Sequence, residues 1–367
     1  MQFGLNKSQE ILKESARKFF AGECPTNEVR RLMETDTAFD GKLWAKLAQQ
    51  GYTGIIFPEE VGGVGLGLVE LILLMEEAGR ALLPGPFFST VALAGSVLRA
   101  VTAHEKKDKC LAAISRGEAR STVALVEAGG SWDAADAQMA ASNGRLTGEK
   151  LLVPDAAIAD WIFVVAKNGV FLVDSKSSGL HITPMLGMDL TRKLYAVRFD
   201  NAPAERLAEA SVASRALDAA TVALCAEMVG GMQRTLDLTV EYAKTRKQFG
   251  KPIGMFQAIQ HQCADMYLET ESSRSATYYA AWALEENAPD AASAVSIAKI
   301  YASDASRTVG NRGIQVHGGM GFTWENDLHL YYRRAKASET AFGDATLHRE
   351  RLARLVIDTE AVSAQRA

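Results

Sequence analysis

The chain reads as an α+β protein whose helices come from both ends and enclose a β-rich middle. Two features carry that reading. Apolar residues recur at intervals of three and four before about residue 118 and after about residue 210; between them, short runs rich in β-branched and aromatic residues are separated by Gly, Asn, Asp and Pro. With 367 residues, 48% of them apolar, there is material for two or three domains and a large core.

In chain order, Ile11, Leu12, Ala16, Phe19 and Phe20 mark one helical face, with Asn6 or Ser8 placed to cap it. Breaks follow at Gly51 and Gly54, at Gly62-Gly63-Val64-Gly65, at Pro84-Gly85-Pro86, and at Gly117, where a helix C-cap glycine would sit. Strand-like runs are expected at 122–126, 161–166, 170–173 and 194–199. Three long helices are expected at about 211–245, 256–287 and 289–310, then a loop at Gly318-Gly319-Met320-Gly321 and a last helix from about Thr346. No repeat or low-complexity tract interrupts this order, and only the tail after Ile357 reads as frayed. The division into domains is 1–118, 119–208 and 209–367, the first and last supplying a helical bundle.

The net charge of −4 and the scattered Lys and Arg residues lack the footprint of a nucleic-acid binder. Cys24, Cys110, Cys225 and Cys263 are far apart with no Cys-x-x-Cys spacing, so reduced thiols and a cytoplasmic location are expected. The N-terminus lacks the basic region and apolar run of a signal peptide, and the most apolar window, 66–75, is short and broken by Glu70, so no membrane span is expected. No His/Cys/carboxylate cluster points to a metal.

Two motifs carry chemistry. Arg246-Lys247-Gln248-Phe249-Gly250 stands at a helix end before Pro252. An arginine there can hold a diphosphate by a bidentate, charge-assisted pair while an aromatic neighbour covers a flat ring. A lone arginine at a helix end is also commonly just solvated. The glycine-rich bend at 315–321 lets a ligand or another backbone approach closely. It follows a helix rather than a strand, so it is not a Rossmann fingerprint, and an inter-helix turn is the plainer reading.

In full, these stretches are YAKTRKQFGKPIGMFQAIQH at 242–261 and QVHGGMGFTWE at 315–325, the second followed by YRRAK at 332–336. Together they resemble acyl-CoA dehydrogenases in order and separation, and the similarity covers essentially the whole chain. The resemblance implies an N-terminal helical domain, a middle β-barrel-like domain, a C-terminal four-helix bundle, and FAD bound between subunits of a dimer or tetramer. By it, Arg246, Gln248, Phe249, Phe256 and Gln257 would hold the diphosphate and adenine side of FAD across a dimer interface. Gln315, Gly318 and Gly319 would come from the neighbouring subunit, and Asp344 and Thr346 would fall near the same cofactor. His261 and His317 belong to the motifs as structural or cofactor-adjacent residues.

The family oxidises an acyl-CoA thioester between Cα and Cβ, a carboxylate removing the α-proton while the β-hydride passes to the flavin and on to an electron-transfer flavoprotein or similar acceptor. Where the family usually carries its catalytic glutamate, this chain has Phe342, in Ala341-Phe342-Gly343-Asp344. At the family's second glutamate position it has Ala220. Glu227 shares a helical face with Ala220 and Leu224 and is a candidate base, though a carboxylate buried there suits a structural ion pair equally. Asp344 is a second candidate, with a hydrogen-bonding role in its loop as the plainer reading.

The flavin loop also departs from the resemblance: Val126-Glu127-Ala128-Gly129-Gly130-Ser131-Trp132 keeps only Ser131 as a contact, and Leu152-Val153-Pro154-Asp155 replaces the family's Trp-Ile-Thr-Asn. Of the CoA contacts Asp218 is kept, Thr221 stands for an arginine, and Gly343 is expected beside the substrate. Diphosphate contacts kept and base lost resemble the shorter subunit of hetero-oligomeric members, which complete the flavin site of a longer catalytic partner and act on bulky thioesters such as those of steroid side chains. Two readings stay open beside it: a self-sufficient homo-oligomer using Glu227 or Asp344, and a non-catalytic CoA- or flavin-binding scaffold.

Overall fold

Asn6 begins the first helix by a reciprocal cap, its Oδ1 accepting from Gln9 N at 2.9 Å while Gln9 Oε1 accepts from Asn6 N at 3.0 Å. The computed structural model to which this helix belongs describes residues 4–102 and 104–358; the first residues of the N-terminal segment and the tail past residue 358 lie outside the described residues. The N-terminal helices are α1 (Lys7–Glu23), α2 (Thr26–Met33), α3 (Gly41–Gln49), α4 (Leu68–Arg80), α5 (Gly95–Ala100) and α6 (Glu105–Ser115). The middle strands are β1 (Ser121–Ala124), β2 (Arg145–Pro154), β3 (Trp161–Ala166), β4 (Gly169–Asp174), β5 (Leu180–Met185), β6 (Leu194–Pro203) and β7 (Glu205–Ala208). Then come α7 (Ser211–Thr245), the hairpin β8 (Lys247–Gln248) and β9 (Lys251–Pro252), α8 (Gln257–Glu285), α9 (Ala291–His317), α10 (Leu328–Thr340) and α11 (Ala345–Ala353).

By packing, the chain divides into two units, one of Met1–Thr26, Ile72–Leu82 and Leu224–Ala367, the other of Asn27–Leu71 and Leu83–Ala223. The first is the helical bundle built from both ends. Its helices are tied by buried carboxylates: Glu76 on α4 takes Lys13 Nζ of α1 at 2.9 Å, and Arg274 Nη1 and Tyr278 Oη of α8 at 3.1 and 2.6 Å. Glu77 takes Arg17 through both oxygens. Glycines let α4 and α7 touch backbone to backbone, since a Cβ on Gly79 would stand 2.0 Å from the Glu227 carbonyl oxygen and one on Gly230 1.8 Å from that of Glu76.

The second unit holds two sheets, one in the order β1-β3-β4-β7 and the other β2-β6-β5. Only β1 with β3 is parallel. Alternate residues of both, among them Ile162, Val164, Phe171, Leu146, Val197 and Phe199, share one core. The helix before it closes on Gly117, whose N–H reaches Ile114 O at 2.8 Å while Glu118 N reaches Ala113 O at 2.9 Å, a paired C-terminal cap.

The structure corrects several sequence expectations. Helix α9 runs to His317 rather than ending near 310, because Gly310 and Gly313 are packing glycines: a Cβ there would come within 3.0 Å of Tyr332 and 2.8 Å of Thr235. Strands β2, β5 and β7 were not foreseen; β2 carries Gly148 and Pro154, and β5 alternates between half-buried and exposed along most of its length, so neither shows an apolar run. Helix α10 was not foreseen either.

Candidate active site

Tyr242 near the end of α7 stacks on His317 at the end of α9, ring centroids 4.3 Å apart. A small cluster of Ala243, Ile253 and Val316 with Tyr242, Phe256 and Ile259 fastens the hairpin region to the same helix end. The two motifs that the resemblance assigns to different subunits therefore lie together on one chain. His317 Nδ1 donates to Gly313 O at 2.8 Å, and burial holds its pKa below the ordinary value against that carbonyl, so it is a neutral structural ring.

On this base the polar groups face outward. Arg246 is exposed at the turn into β8, and its guanidinium has no ion-pair partner among the described residues. Gln248, Gln257 and Gln315 are exposed, as is Thr346 on α11. Phe249 is 92% exposed with φ +52°, its ring edge-on to Phe256 at 6.1 Å, and Lys251 Nζ sits 4.5 Å over the Phe256 ring. Gly318 has φ +61° and ψ −141°, a backbone shape that essentially only glycine adopts. A Cβ on Gly318 or Gly319 would meet nothing within 4 Å. An arginine without a counter-charge, exposed aromatic faces and a bare glycine backbone fit a dinucleotide's diphosphate and ring.

The position of the family's glutamate is different in kind. Phe342 is half-buried at φ +59°, in a turn after α10, followed by Gly343 at φ +92°. Its carbonyl accepts from His348 Nε2 at 2.9 Å. Below this turn lies Lys299 of α9, fully buried, donating to Ser338 O at 2.9 Å, Glu339 O at 3.0 Å and Ser303 Oγ at 3.0 Å. Its ammonium caps the last carbonyls of α10 and so anchors the start of the turn. Burial pushes its pKa down to about 8, with Cys225, Glu339 and Asp344 opposing.

The two carboxylates expected as bases are both engaged. Glu227 is 3% exposed and forms an ion pair with Arg334 of α10, itself 5% exposed. The cavity beside the pair is about 20 Å³, lined by Ser306, Tyr331 and Ser338, with room for one water and none for an acyl chain. Asp344 is exposed and caps α11, its Oδ1 accepting from Leu347 N at 2.9 Å.

In the other unit, Ser131 donates to Asp136 Oδ2 at 2.6 Å and accepts from Asp133 N at 3.1 Å, so its hydroxyl serves its own loop. Glu127 holds that loop by accepting from Gln138 N and Met139 N and from the buried Lys150 Nζ at 2.6 Å. Leu152 and Asp155 both have φ +54°, and Asp155 is buried, accepting from Ser89 Oγ at 2.6 Å. Asp218 is half-buried on α7. Sequence reasoning missed Lys299, whose signal was a lone charge falling in step with buried positions of a helix, and had Arg334 only as a member of the YRRAK stretch, without its buried pairing.

Among the described residues the four cysteines are free thiols, no group of three or more His, Cys, Asp and Glu is disposed to hold a metal, and no helix is long and apolar enough to cross a membrane.

Two family models match the chain: the acyl-CoA dehydrogenase N-terminal domain over residues 6–118 and the acyl-CoA dehydrogenase C-terminal domain over residues 210–357. The acyl-CoA dehydrogenase IpdE2 of Mycobacterium tuberculosis is 33% identical over 338 residues, spanning 90% of this chain and 92% of its own. Among solved structures, the Tcur3481-Tcur3483 steroid acyl-CoA dehydrogenase matches with a TM-score of 0.90 at 32% identity, covering 97% of this chain and 99% of its own. The ChsE4-ChsE5 complex of Mycobacterium tuberculosis matches with a TM-score of 0.89 at 28% identity, covering 96% and 98%.

Proposed function

The chain belongs to the acyl-CoA dehydrogenase family, and on that premise we propose that it is the base-lacking subunit of a hetero-oligomer that oxidises a bulky acyl-CoA thioester, of the steroid side-chain kind, between Cα and Cβ. The observation that carries the proposal is that residue 342 is a phenylalanine while the arginine of the diphosphate motif stands open. Support comes from the relatives, one a steroid acyl-CoA dehydrogenase and one a complex of two differently named chains.

The family's cofactor is FAD, which when bound supplies the hydride acceptor. In this reading Arg246 donates charge-assisted hydrogen bonds to the diphosphate, Phe249 and Phe256 cover the adenine side, and Gln248, Gln257, Gln315 and Thr346 add polar contacts. Gly318 and Gly319 let backbone N–H groups approach the same ligand. Phe342 fills the volume of the absent carboxylate and offers no acceptor for the α-proton, so an unlike acyl-CoA dehydrogenase subunit supplies the base. Glu227 serves the bundle as an ion-pair partner and Asp344 as a helix cap. Asp218 and Gly343 are the CoA-side contacts, Ser131 a contact through its loop, and an electron-transfer flavoprotein the onward acceptor. The domain division at 118/119 and 208/209 belongs to this proposal, supported by family models ending at 118 and starting at 210.

The test is flavin absorbance and mass in solution, alone and after co-expression with a longer homologue. The expected result is a chain that reduces no flavin on mixing with a steroid-type acyl-CoA until co-assembled. A yellow homo-oligomer that bleaches by itself would overturn the proposal in favour of Asp344 or Glu227. A co-assembled, flavin-loaded complex that never bleaches would point to the scaffold reading.

A further inference from the structure

Within the bundle unit, a cleft of about 350 Å³ opens beside three arginines, Arg17, Arg80 and Arg234. Two of the three charges are consumed. Arg17 grips both oxygens of Glu77 at 2.8 and 3.1 Å, and Arg80 Nη2 pairs with Asp237 Oδ2 at 2.5 Å, the other Asp237 oxygen accepting from Gln233 Nε2 at 3.0 Å. Arg234 is half-buried, has no carboxylate partner among the described residues, and lies beside the Tyr331 hydroxyl, its charge acting on that phenol. That hydroxyl donates in turn to Arg80 O at 2.9 Å, so the phenol is fixed and steadies the guanidinium against the wall of the cleft. Among the described residues no ion pair consumes the five N–H donors of Arg234. Phe20, Ala21, Pro25 and Ala81 give the cleft an apolar stretch of wall, while Thr26 and the Arg17-bound carboxylate of Glu77 also line it.

A half-buried planar cation with no ion-pair partner among the described residues and an apolar stretch of wall in a cleft of ligand size define the chemistry of what fits. We propose that this cleft binds a small amphipathic oxyanion, a carboxylate or a phosphate with a short apolar body, seated on Arg234. This goes beyond the reading of the flavin site and does not rest on it.

The test is isothermal titration calorimetry on the full chain in its assembled, flavin-loaded form, with sodium butanoate in one series and inorganic phosphate in another. The expected result is saturable binding of at least one probe, weakened about tenfold or more by Arg234→Gln, as loss of a charged hydrogen-bonding partner costs. Saturation by butanoate alone assigns a carboxylate, and by phosphate alone a phosphate. Arg234→Lys, which keeps the charge but not the fork, should give an intermediate loss and covers the case where Arg234→Gln fails to fold. Failure of both probes to saturate, affinity unchanged in the folded Arg234→Gln protein, or binding by the isolated chain that vanishes on assembly would overturn the site.

Discussion

Arg246 and Arg334 belong to the same helical unit and have opposite circumstances. Arg246 stands in solvent on a turn braced by the Tyr242–His317 stack, with no ion-pair partner among the described residues. Arg334 is buried and paired with Glu227, a few residues from a turn whose helix end is capped by an equally buried Lys299. The first region leaves polar capacity unused and holds it on a rigid base, which is how a ligand site is prepared. The second uses its polar capacity on itself, which is how a core is fixed. Here the residue at the family's base position, Phe342, lies on the self-satisfied side.

The largest expected effect comes from breaking the buried pair. Glu227→Ala should destabilise the protein by about 3–5 kcal/mol, read as a fall in the urea midpoint, because it removes the Glu227 charge that the buried Arg334 pairs with. Adding Arg334→Met should recover most of that loss. Should Glu227→Ala instead leave stability intact while abolishing flavin reduction in the assembled oligomer, Glu227 would be a base and the contrast between the two regions would collapse.

Next in size is a pH effect at Lys299. Its pKa is pushed down to about 8 by burial, below the ordinary 10.5, so between those values the unfolded chain holds a proton that the folded chain has released. Stability therefore rises with pH through that window, and below it the protein bears a penalty of roughly 3 kcal/mol for keeping the ammonium charged. Relative to Lys299→Met, wild type should gain about that much between pH 8 and 10.5, measured by urea unfolding at each pH. Cys225, whose thiol burial pushes up to about 12 against the opposing charge of Lys299, acts in the opposite sense above pH 9 and shifts when Lys299 is replaced, so the comparison is made with Cys225→Ala in both proteins.

Much of the contrast could be read before the structure. The cap at Asn6, the stop at Gly117 and the span of α7 are local: one side chain or one positive φ decides them, and sequence shows both. Helix α10 was hidden because its buried residues are Leu328, His329, Leu330, Tyr331, Arg334 and Ser338, three of them His, Arg and Ser, and apolar periodicity cannot register a core position filled by an ion-pair partner. The motif arginine was visible as a motif, but that no ion pair among the described residues engages it is a property of the fold. Glu227 was legible only as a carboxylate on a buried face; what it pairs with sits 107 residues away.

A smaller effect is expected at the open region. Arg246→Ala should leave the urea midpoint within about 0.5 kcal/mol of wild type, since nothing in the chain depends on the side chain. It should weaken FAD by about 1.5–3 kcal/mol, or roughly 10- to 150-fold in Kd, measured by flavin fluorescence on titration of the apoprotein. A stability loss with no change in flavin affinity would move Arg246 to the self-satisfied class.

The smallest effect sharpens the boundary between the regions, because Asp344 lies two residues from Phe342 yet is exposed. Its Oδ1 caps α11 through Leu347 N, so Asp344→Ala should cost about 1 kcal/mol of stability. Asp344→Asn keeps an oxygen in the same place and should cost a few tenths at most. A cap needs only the oxygen, whereas a base needs the proton affinity of a carboxylate, so the asparagine variant separates the two roles. Full stability with full flavin reduction in the assembled complex is the expected outcome. Full stability with flavin reduction lost would place the base in this chain after all, on an exposed carboxylate that the helix cap had disguised.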